Sequence, residues 1–271
     1  MKYYLYNNLS NNGIAPELPE GANVIQAVGK DYPKFFSELN PEDEVVLVGG
    51  DGTLNYFINA VDTDSIKNNI YLLPSGTGND FVNDLGIKER KEILINDYIK
   101  NLPTVYVNGL VQKFINGIGY GIDGYCCEVA DKIKEKTPNA KINYTSIAVK
   151  GLLFHYKPTN ATVTVDGETF KYDHVWLCPS MKGRFYGGGM MVAPMQDRKN
   201  ETLTVVAYRC PSKLKALIVF PKIFTGEHVK NTKMVKIHTG SVIEVKYEKP
   251  CALQIDGETV LNVSSYKVVV K

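Results

Sequence analysis

Val45-Val46-Leu47-Val48-Gly49-Gly50-Asp51-Gly52-Thr53-Leu54-Asn55 is the stretch on which the reading of this chain turns. Its first four residues form a continuous apolar run of strand length, the pattern of a strand buried on both faces. The run ends in a glycine-rich turn, and from Leu54 the apolar spacing is helical to Val61. A buried strand ending in glycines at a helix N-terminus aims backbone N–H groups and the positive helix end at an anion. Gly49, Gly50 and Gly52 let backbone come close to a phosphate, with Thr53 and Asn55 directly behind them. Asp51 is the odd member. A carboxylate repels a triphosphate unless a cation such as Mg²⁺ lies between them, or unless it binds a hydroxyl instead. The loop therefore points to a metal–nucleotide complex with Asp51 as metal ligand; the alternative is a sharp turn in which Asp51 caps the helix.

Further along, the design repeats. A strand-like run at 70–73 leads into Pro74-Ser75-Gly76-Thr77-Gly78-Asn79-Asp80-Phe81. Two such loops about 25 residues apart belong at the C-terminal edge of one sheet, where open α/β sheets bind ligands. Ser75, Gly76, Thr77 and Asn79 suit nucleotide contact, while Asn79 and Asp80 also suit simple helix caps. Around the loops, strand-like segments at 3–6, 45–48 and 70–73 alternate with helix-like ones at 32–39 and 54–61. That alternation predicts an α/β domain with a mostly parallel sheet and helices on both faces. After Pro103 the texture changes to Val- and Tyr-rich strands at 105–107, 162–165, 175–177, 203–207, 242–247 and 267–270. Helical stretches interrupt them at 126–134 and 212–224, the second with Ser212 as its cap. The expected organisation is an α/β domain over 1–107 and a mainly β domain over 108–271, with the last strand free to return to the first domain.

Composition narrows the function class. The chain has 271 residues, 44% hydrophobic and 22% charged, enough to bury a real core. Thirty-one Lys and Arg against 29 Asp and Glu give +2, too balanced for a general nucleic-acid binder, so no nucleic-acid partner is expected. Five cysteines without C-x-x-C spacing suggest reduced, buried thiols rather than disulfides or zinc. No apolar run reaches the ~18 to 20 residues of a membrane span and no signal peptide opens the chain. The expected location is cytoplasmic, with any membrane contact peripheral. Eight Lys against three Glu over 211–250 could hold an anionic surface, and Leu214, Leu217, Ile218 and Phe220 within that stretch suit either lipid insertion or core packing. Lys182 and Arg184 are candidates for a phosphate or headgroup. No P-loop or protein-kinase motif is present. Gly119-Tyr120-Gly121-Ile122-Asp123-Gly124 satisfies G-x-G-x-x-G, but it lies in the β-rich part with no acidic ribose partner about 20 residues on. His155, His174, His228 and His238 lack ligand spacing. Val165-Asp166-Gly167-Glu168-Thr169 and Ile255-Asp256-Gly257-Glu258-Thr259 echo one another, and each Asp-Gly pair predicts a tight hairpin.

Taken together, the two loops resemble the catalytic domain of the diacylglycerol kinase and sphingosine kinase superfamily, especially its soluble bacterial lipid kinases. The first motif is shared with NAD kinases; the second is more specific. Residues 114–123, 186–194 and 254–258 look like further signatures in family order. The resemblance implies an NAD-kinase-like α/β domain and a β-sandwich-like domain with ATP and Mg²⁺ between them, and γ-phosphoryl transfer to a lipid hydroxyl at a membrane surface. It implies Asp51 in the nucleotide and metal loop, Thr53, Gly76 and Thr77 on phosphate, Asn79 near the nucleotide, Asp256 as general base and Glu258 close by, leaving Asp166 as a turn. The acceptor implied is diacylglycerol-like; a sphingoid lipid or NAD, or a regulator that binds nucleotide without catalysis, are the alternatives. Tyr56 stands where many relatives have Glu. Asn200-Glu201 and Thr204 stand where relatives usually show an Asp-Gly pair and a further Asp that serve an accessory metal site; Asp197 could partly substitute, but that site is expected to be absent.

Overall fold

A computed structural model describes residues 1–7, 17–27, 29–76, 78–137 and 140–270, which divide into units Met1–Leu102 and Pro103–Lys271. In the first unit, β1 (Lys2–Tyr6), β2 (Asn23–Gln26), β3 (Glu44–Gly49), β4 (Asn69–Pro74) and β5 (Ile93–Leu94) form one sheet among the described residues, in the order β2-β1-β3-β4-β5. All pairings are parallel except the edge strand β5, which runs antiparallel to β4. The apolar run explains the central strand: Val45, Val46, Leu47 and Val48 are wholly buried, as both faces of a covered parallel sheet require. Among the described residues three α-helices accompany it: α1 (Tyr32–Glu38), α2 (Asp51–Ala60) and α3 (Asp80–Asp84). α1 starts where Asp31 accepts the Lys34 N–H and Pro33 supplies a fixed φ. α2 buries Leu54, Phe57 and Ile58, at helical spacing. It begins at Asp51 rather than Leu54, because Gly50 is already the N-cap and the glycine motif forms the first turn.

In the second unit a hairpin of β6 (Thr104–Val107) and β7 (Leu110–Lys113) precedes β8 (Gly117–Tyr120), α4 (Ile122–Lys136) and α5 (Tyr144–Lys150). A second hairpin follows, β9 (Thr159–Val165) with β10 (Glu168–Leu177), then the short β11 (Ser180–Met181), β12 (Phe185–Tyr186) and β13 (Met190–Met191). β14 (Leu203–Arg209), α6 (Lys213–Val219), β15 (Val235–Gly240), β16 (Val242–Ile255) and β17 (Glu258–Val269) complete it. β9, β10, β14, β11, β8 and β16 pair in succession, and β16 pairs back onto β9, so the strands close an antiparallel barrel. Closure removes the exposed edges of an open sheet. β16 makes it possible by serving two neighbours: residues 243–247 pair with β9 and residues 253–255 with β8. Between them Pro250 has no N–H to give, and the pairing with β17 shifts register on either side of Cys251.

Tyr120, Tyr247 and Tyr266 fill the barrel core, Tyr120 stacked on Tyr247 at 4.0 Å and edge-on to Tyr266. Each buried hydroxyl finds a carbonyl: those of Val263, Tyr120 and Cys178 respectively. A separate apolar cluster around Trp176 packs α5 and α6 against the outside of these strands.

Three expectations shift. Asn108-Gly109, where the sequence reading placed the domain boundary, is the two-residue turn of the β6–β7 hairpin, both residues at positive φ, and the unit boundary falls at Leu102–Pro103. The last strand stays within the second unit, between β16 and β6. The helix expected to run to 224 leaves α-geometry at Phe220, where Pro221 cannot donate the next bond, and finishes as a 3-10 segment. All five cysteines are free thiols.

Candidate functional site

Parallel pairing sets Gly49 at the end of β3 beside Pro74 at the end of β4, so the two glycine loops leave the sheet side by side. Ser75 N–H donates to the Gly49 carbonyl at 3.0 Å. Beyond that bond the loops touch through glycines. A Cβ on Gly50 would stand 2.9 Å from Gly76 Cα, and one on Gly76 would stand 2.7 Å from Gly50 Cα. A Cβ on Gly49 would run into the Thr53 side chain. Gly52 differs, because nothing among the described residues lies within 4 Å of where its Cβ would be. Packing demands the first three glycines, and open space lies over the fourth.

Asp51 ties the loops together. Its Oδ2 accepts the Asp80 N–H at 2.8 Å and its Oδ1 the Phe81 N–H at 2.9 Å. These are first-turn donors of α3, which otherwise lack helical partners. Asn79, the positional cap of α3, sits at φ 49 and uses its amide nitrogen on the Gly76 carbonyl at 2.8 Å instead. Asp51 is thus the first residue of α2 and caps α3, whereas the capping alternative read from sequence had it cap its own helix. Two helix N-termini converge on this carboxylate, and their dipoles favour negative charge there. Ser75 Oγ and Asn79 Oδ1 are buried with no hydrogen-bond partner among the described residues. Buried polar atoms are nearly always satisfied, so both fit a ligand entering at the loops. Asn55 is buried on α2 and Thr53 half-buried. Thr77 lies outside the described residues.

Asp256 and Glu258 belong to the second unit. Asp256-Gly257 is the tight turn between β16 and β17, with φ values of 47° and 100°. The carboxylate reaches back to the bend that leads into β8 and to the first residue of that strand: Oδ2 accepts the Ile115 N–H at 2.7 Å, and Oδ1 accepts those of Asn116 and Gly117, each at 2.9 Å. Three such donors fix the direction of the carboxylate. Glu258 is exposed at the head of β17. Asp166-Gly167 forms the same kind of turn, at 48° and 91°, and its carboxylate accepts the Ser241 and Val242 N–H groups.

Sequence reasoning missed Arg198 and Asp123. Arg198 is buried, and its guanidinium donates to the Ile115 carbonyl at 3.0 Å and to Asn116 Oδ1 at 3.1 Å, bracing the segment that holds Asp256. Nothing in the pattern around Arg198 announces this, since its partners lie more than 80 positions away. Asp123, in the first turn of α4, is buried and accepts the Tyr186 hydroxyl at 2.7 Å. Burial pushes its carboxyl up to about 6, against the opposing pull of Tyr186. The G-x-G-x-x-G match at 119–124 is the turn that buries it: a Cβ on Gly119 would meet Asp123, and one on Gly124 the Ala252 carbonyl. Lys182 is spent on structure. It is buried, donates to the Asn200 carbonyl at 2.7 Å, and is shifted downward by burial and then by Arg198. Thr204 donates to Gln196 at 2.6 Å. Among the described residues no group of three or more His, Cys, Asp or Glu could hold a metal ion. A Mg²⁺ held by one carboxylate together with substrate phosphates needs no such cage, and Asp51 at the loops fits that arrangement.

Residues 22–106 match the family described as the diacylglycerol kinase catalytic domain, and residues 116–270 match the YegS C-terminal NAD kinase beta sandwich-like domain. The diacylglycerol kinase of Mycobacterium tuberculosis (strain CDC 1551 / Oshkosh) is 25% identical over 248 residues, 83% of this chain and 79% of that protein. The same figures hold for the diacylglycerol kinase of strain ATCC 25618 / H37Rv. A crystal structure described as a diacylglycerol kinase from Bacillus anthracis str. Sterne superposes with a TM-score of 0.66 at 17% identity, over 99% of this chain and 94% of that one. At that identity the likeness speaks for the fold.

Proposed function

Because this chain belongs to the family that joins a diacylglycerol kinase catalytic domain to a YegS C-terminal NAD kinase beta sandwich-like domain, we propose that it is an ATP- and Mg²⁺-dependent lipid kinase. It transfers the γ-phosphoryl group to a lipid hydroxyl, with a diacylglycerol-like acceptor. The observation that carries this reading is the meeting of two glycine loops at a pair of helix N-termini, with the Ser75 hydroxyl and Asn79 carbonyl buried and unpartnered beside them among the described residues. MgATP, when bound, supplies the transferable phosphoryl group and the charge that shields it.

This chain's own residues do the rest. Gly49, Gly50 and Gly76 let the two loops pack together, Gly52 keeps side-chain bulk away from the phosphates, and Ser75 and Thr53 donate hydroxyls to them. Asn55 and Asn79 contact the nucleotide, and Asp51 holds the two loops in register while serving as the carboxylate for Mg²⁺. Asp256 accepts the acceptor hydroxyl's proton, with Glu258 near it. Transfer through a loose transition state asks for positioning more than for a strong base, so a carboxylate held in one direction that takes the proton late is adequate.

The test is incubation with labelled ATP, Mg²⁺ and a fractionated bacterial lipid extract. Label is expected in a phosphomonoester of the diacylglycerol fraction and is lost in Asp256→Asn. Label in a sphingoid fraction or in NAD would assign another acceptor. A second reading, a nucleotide-binding regulator without catalysis, draws on the three N–H donors that already engage Asp256. Nucleotide binding with no lipid labelled would favour it.

A further inference from the structure

α6 buries Ala216 and Val219 in the cluster around Trp176 and turns Leu214 and Ile218, one helical turn apart, outward at 69% and 62% exposure. The π-helical turn Gly151–His155 after α5 behaves alike: Leu152 joins the same cluster, while Phe154 stands 72% exposed beside half-exposed Leu153. The two segments are neighbours, since Lys213 Nζ donates to the Leu153 carbonyl at 3.0 Å. One rim of the second unit therefore presents large apolar side chains from two separate segments.

Charge within these two segments is of one sign. Residues 144–157 and 211–226 contain Lys150, Lys157, Lys213, Lys215 and Lys222, all exposed, and no Asp or Glu. A merely solvated face in a chain of nearly balanced charge would mix both signs. Apolar side chains that project from two segments whose own charges are all lysines, with Glu227 facing Lys222 only at the far end of the second, match a bilayer surface: the rings and branched chains enter the acyl boundary, and the ammonium groups stay at headgroup level. A second copy of this chain fits poorly, because its rim would bring lysine against lysine.

We propose that this rim, with Phe154, Leu214 and Ile218 as its apolar contacts, docks on the anionic surface of a lipid bilayer. The proposal deepens the lipid-kinase reading by naming the surface from which an acceptor would be taken, and it rests on that reading only for its purpose.

The test is flotation of the full chain with phosphatidylcholine vesicles, with and without an equal share of phosphatidylglycerol. Wild-type protein is expected to float with the anionic vesicles, less as salt rises, and not with the neutral ones. Lys150→Gln and Lys215→Gln should each weaken partitioning about fivefold, and Phe154→Ser with Ile218→Ser roughly tenfold or more, with the melting temperature unchanged. Phe154→Trp provides a second readout, a blue-shifted emission on adding anionic vesicles, above a constant background from buried Trp176. Absence of flotation at low salt, equal flotation of the variants, or an emission from Phe154→Trp that vesicles leave unmoved would overturn the proposal. A blue shift that follows protein concentration without vesicles would assign the rim to self-association instead. Labelling of short-chain diacylglycerol in detergent tests the kinase reading separately, so either idea can fail while the other stands.

Discussion

Asp256 and Asp166 occupy the same turn type at nearly the same φ, and each carboxylate pins its turn to backbone N–H groups of another segment. Replacing either by Asn removes one acceptor oxygen and should cost a comparable ~1 to 3 kcal/mol of stability. Only Asp256→Asn should also lose about 10² to 10⁴ in turnover. Urea titration and steady-state assay of both variants decide the matter: equal turnover in the two would remove Asp256 from the chemistry. Asp51→Asn should weaken MgATP use and blunt the magnesium dependence of the rate; a titration with undiminished dependence would count against Asp51 as metal ligand. Asp123 carries a pH signature. Burial raises its carboxyl from an ordinary 3.8 to about 6, so between those values the folded chain keeps a proton that the unfolded chain has released. The stability it lends is complete below 3.8 and lost as pH climbs to about 6, a change of about 3 kcal/mol. Asp123→Asn should abolish that part of the decline, as urea midpoints at pH 4 and pH 7 would register. Both Asp-Gly turns were legible because turn chemistry is local. The partners of Asp256 were not, since Ile115 lies 141 positions away.

At the level of elements, glycines in the two loops divide by what surrounds them. Gly50→Ala and Gly76→Ala force a methyl into the opposite backbone and should each destabilise the first unit by roughly 1 to 3 kcal/mol. Gly52→Ala meets open space within α2 and should leave stability unchanged or raise it by up to about 1 kcal/mol, as Ala does in helices. Its nucleotide affinity should nevertheless fall, because the methyl would occupy room left for phosphate. Calorimetric titration with MgATP alongside denaturation separates these effects, and undiminished affinity in Gly52→Ala would refute the assignment of that space. The strand–glycine–helix order of both loops could be read from sequence, since apolar runs and breakers are visible there. That Asp51 caps α3 could not be read, because the bond depends on β3 lying beside β4 and on loop geometry beyond them.

Across the whole molecule, thiols report on the interior. Cys126, Cys127, Cys178 and Cys251 are all pushed upward by burial, Cys127 and Cys251 to about 12. These four should resist a thiol reagent at pH 8 for as long as the protein stays folded, and all five should react in denaturant. Rapid native labelling at Cys178 would mean that the barrel opens easily. The α/β and β-rich halves were legible from segment texture alone. Barrel closure was not, because it hangs on β16 pairing with β9 in its first half and β8 in its second. That clasp also bears on how the protein comes into being. β8 and β9 leave the ribosome long before β16 exists, and at roughly 5 to 20 residues per second their missing partner is several seconds behind them. Contacts of such high order form slowly, so the nascent chain holds unpaired strand edges until β16 is made, and the turn bearing Asp256 is assembled only after that.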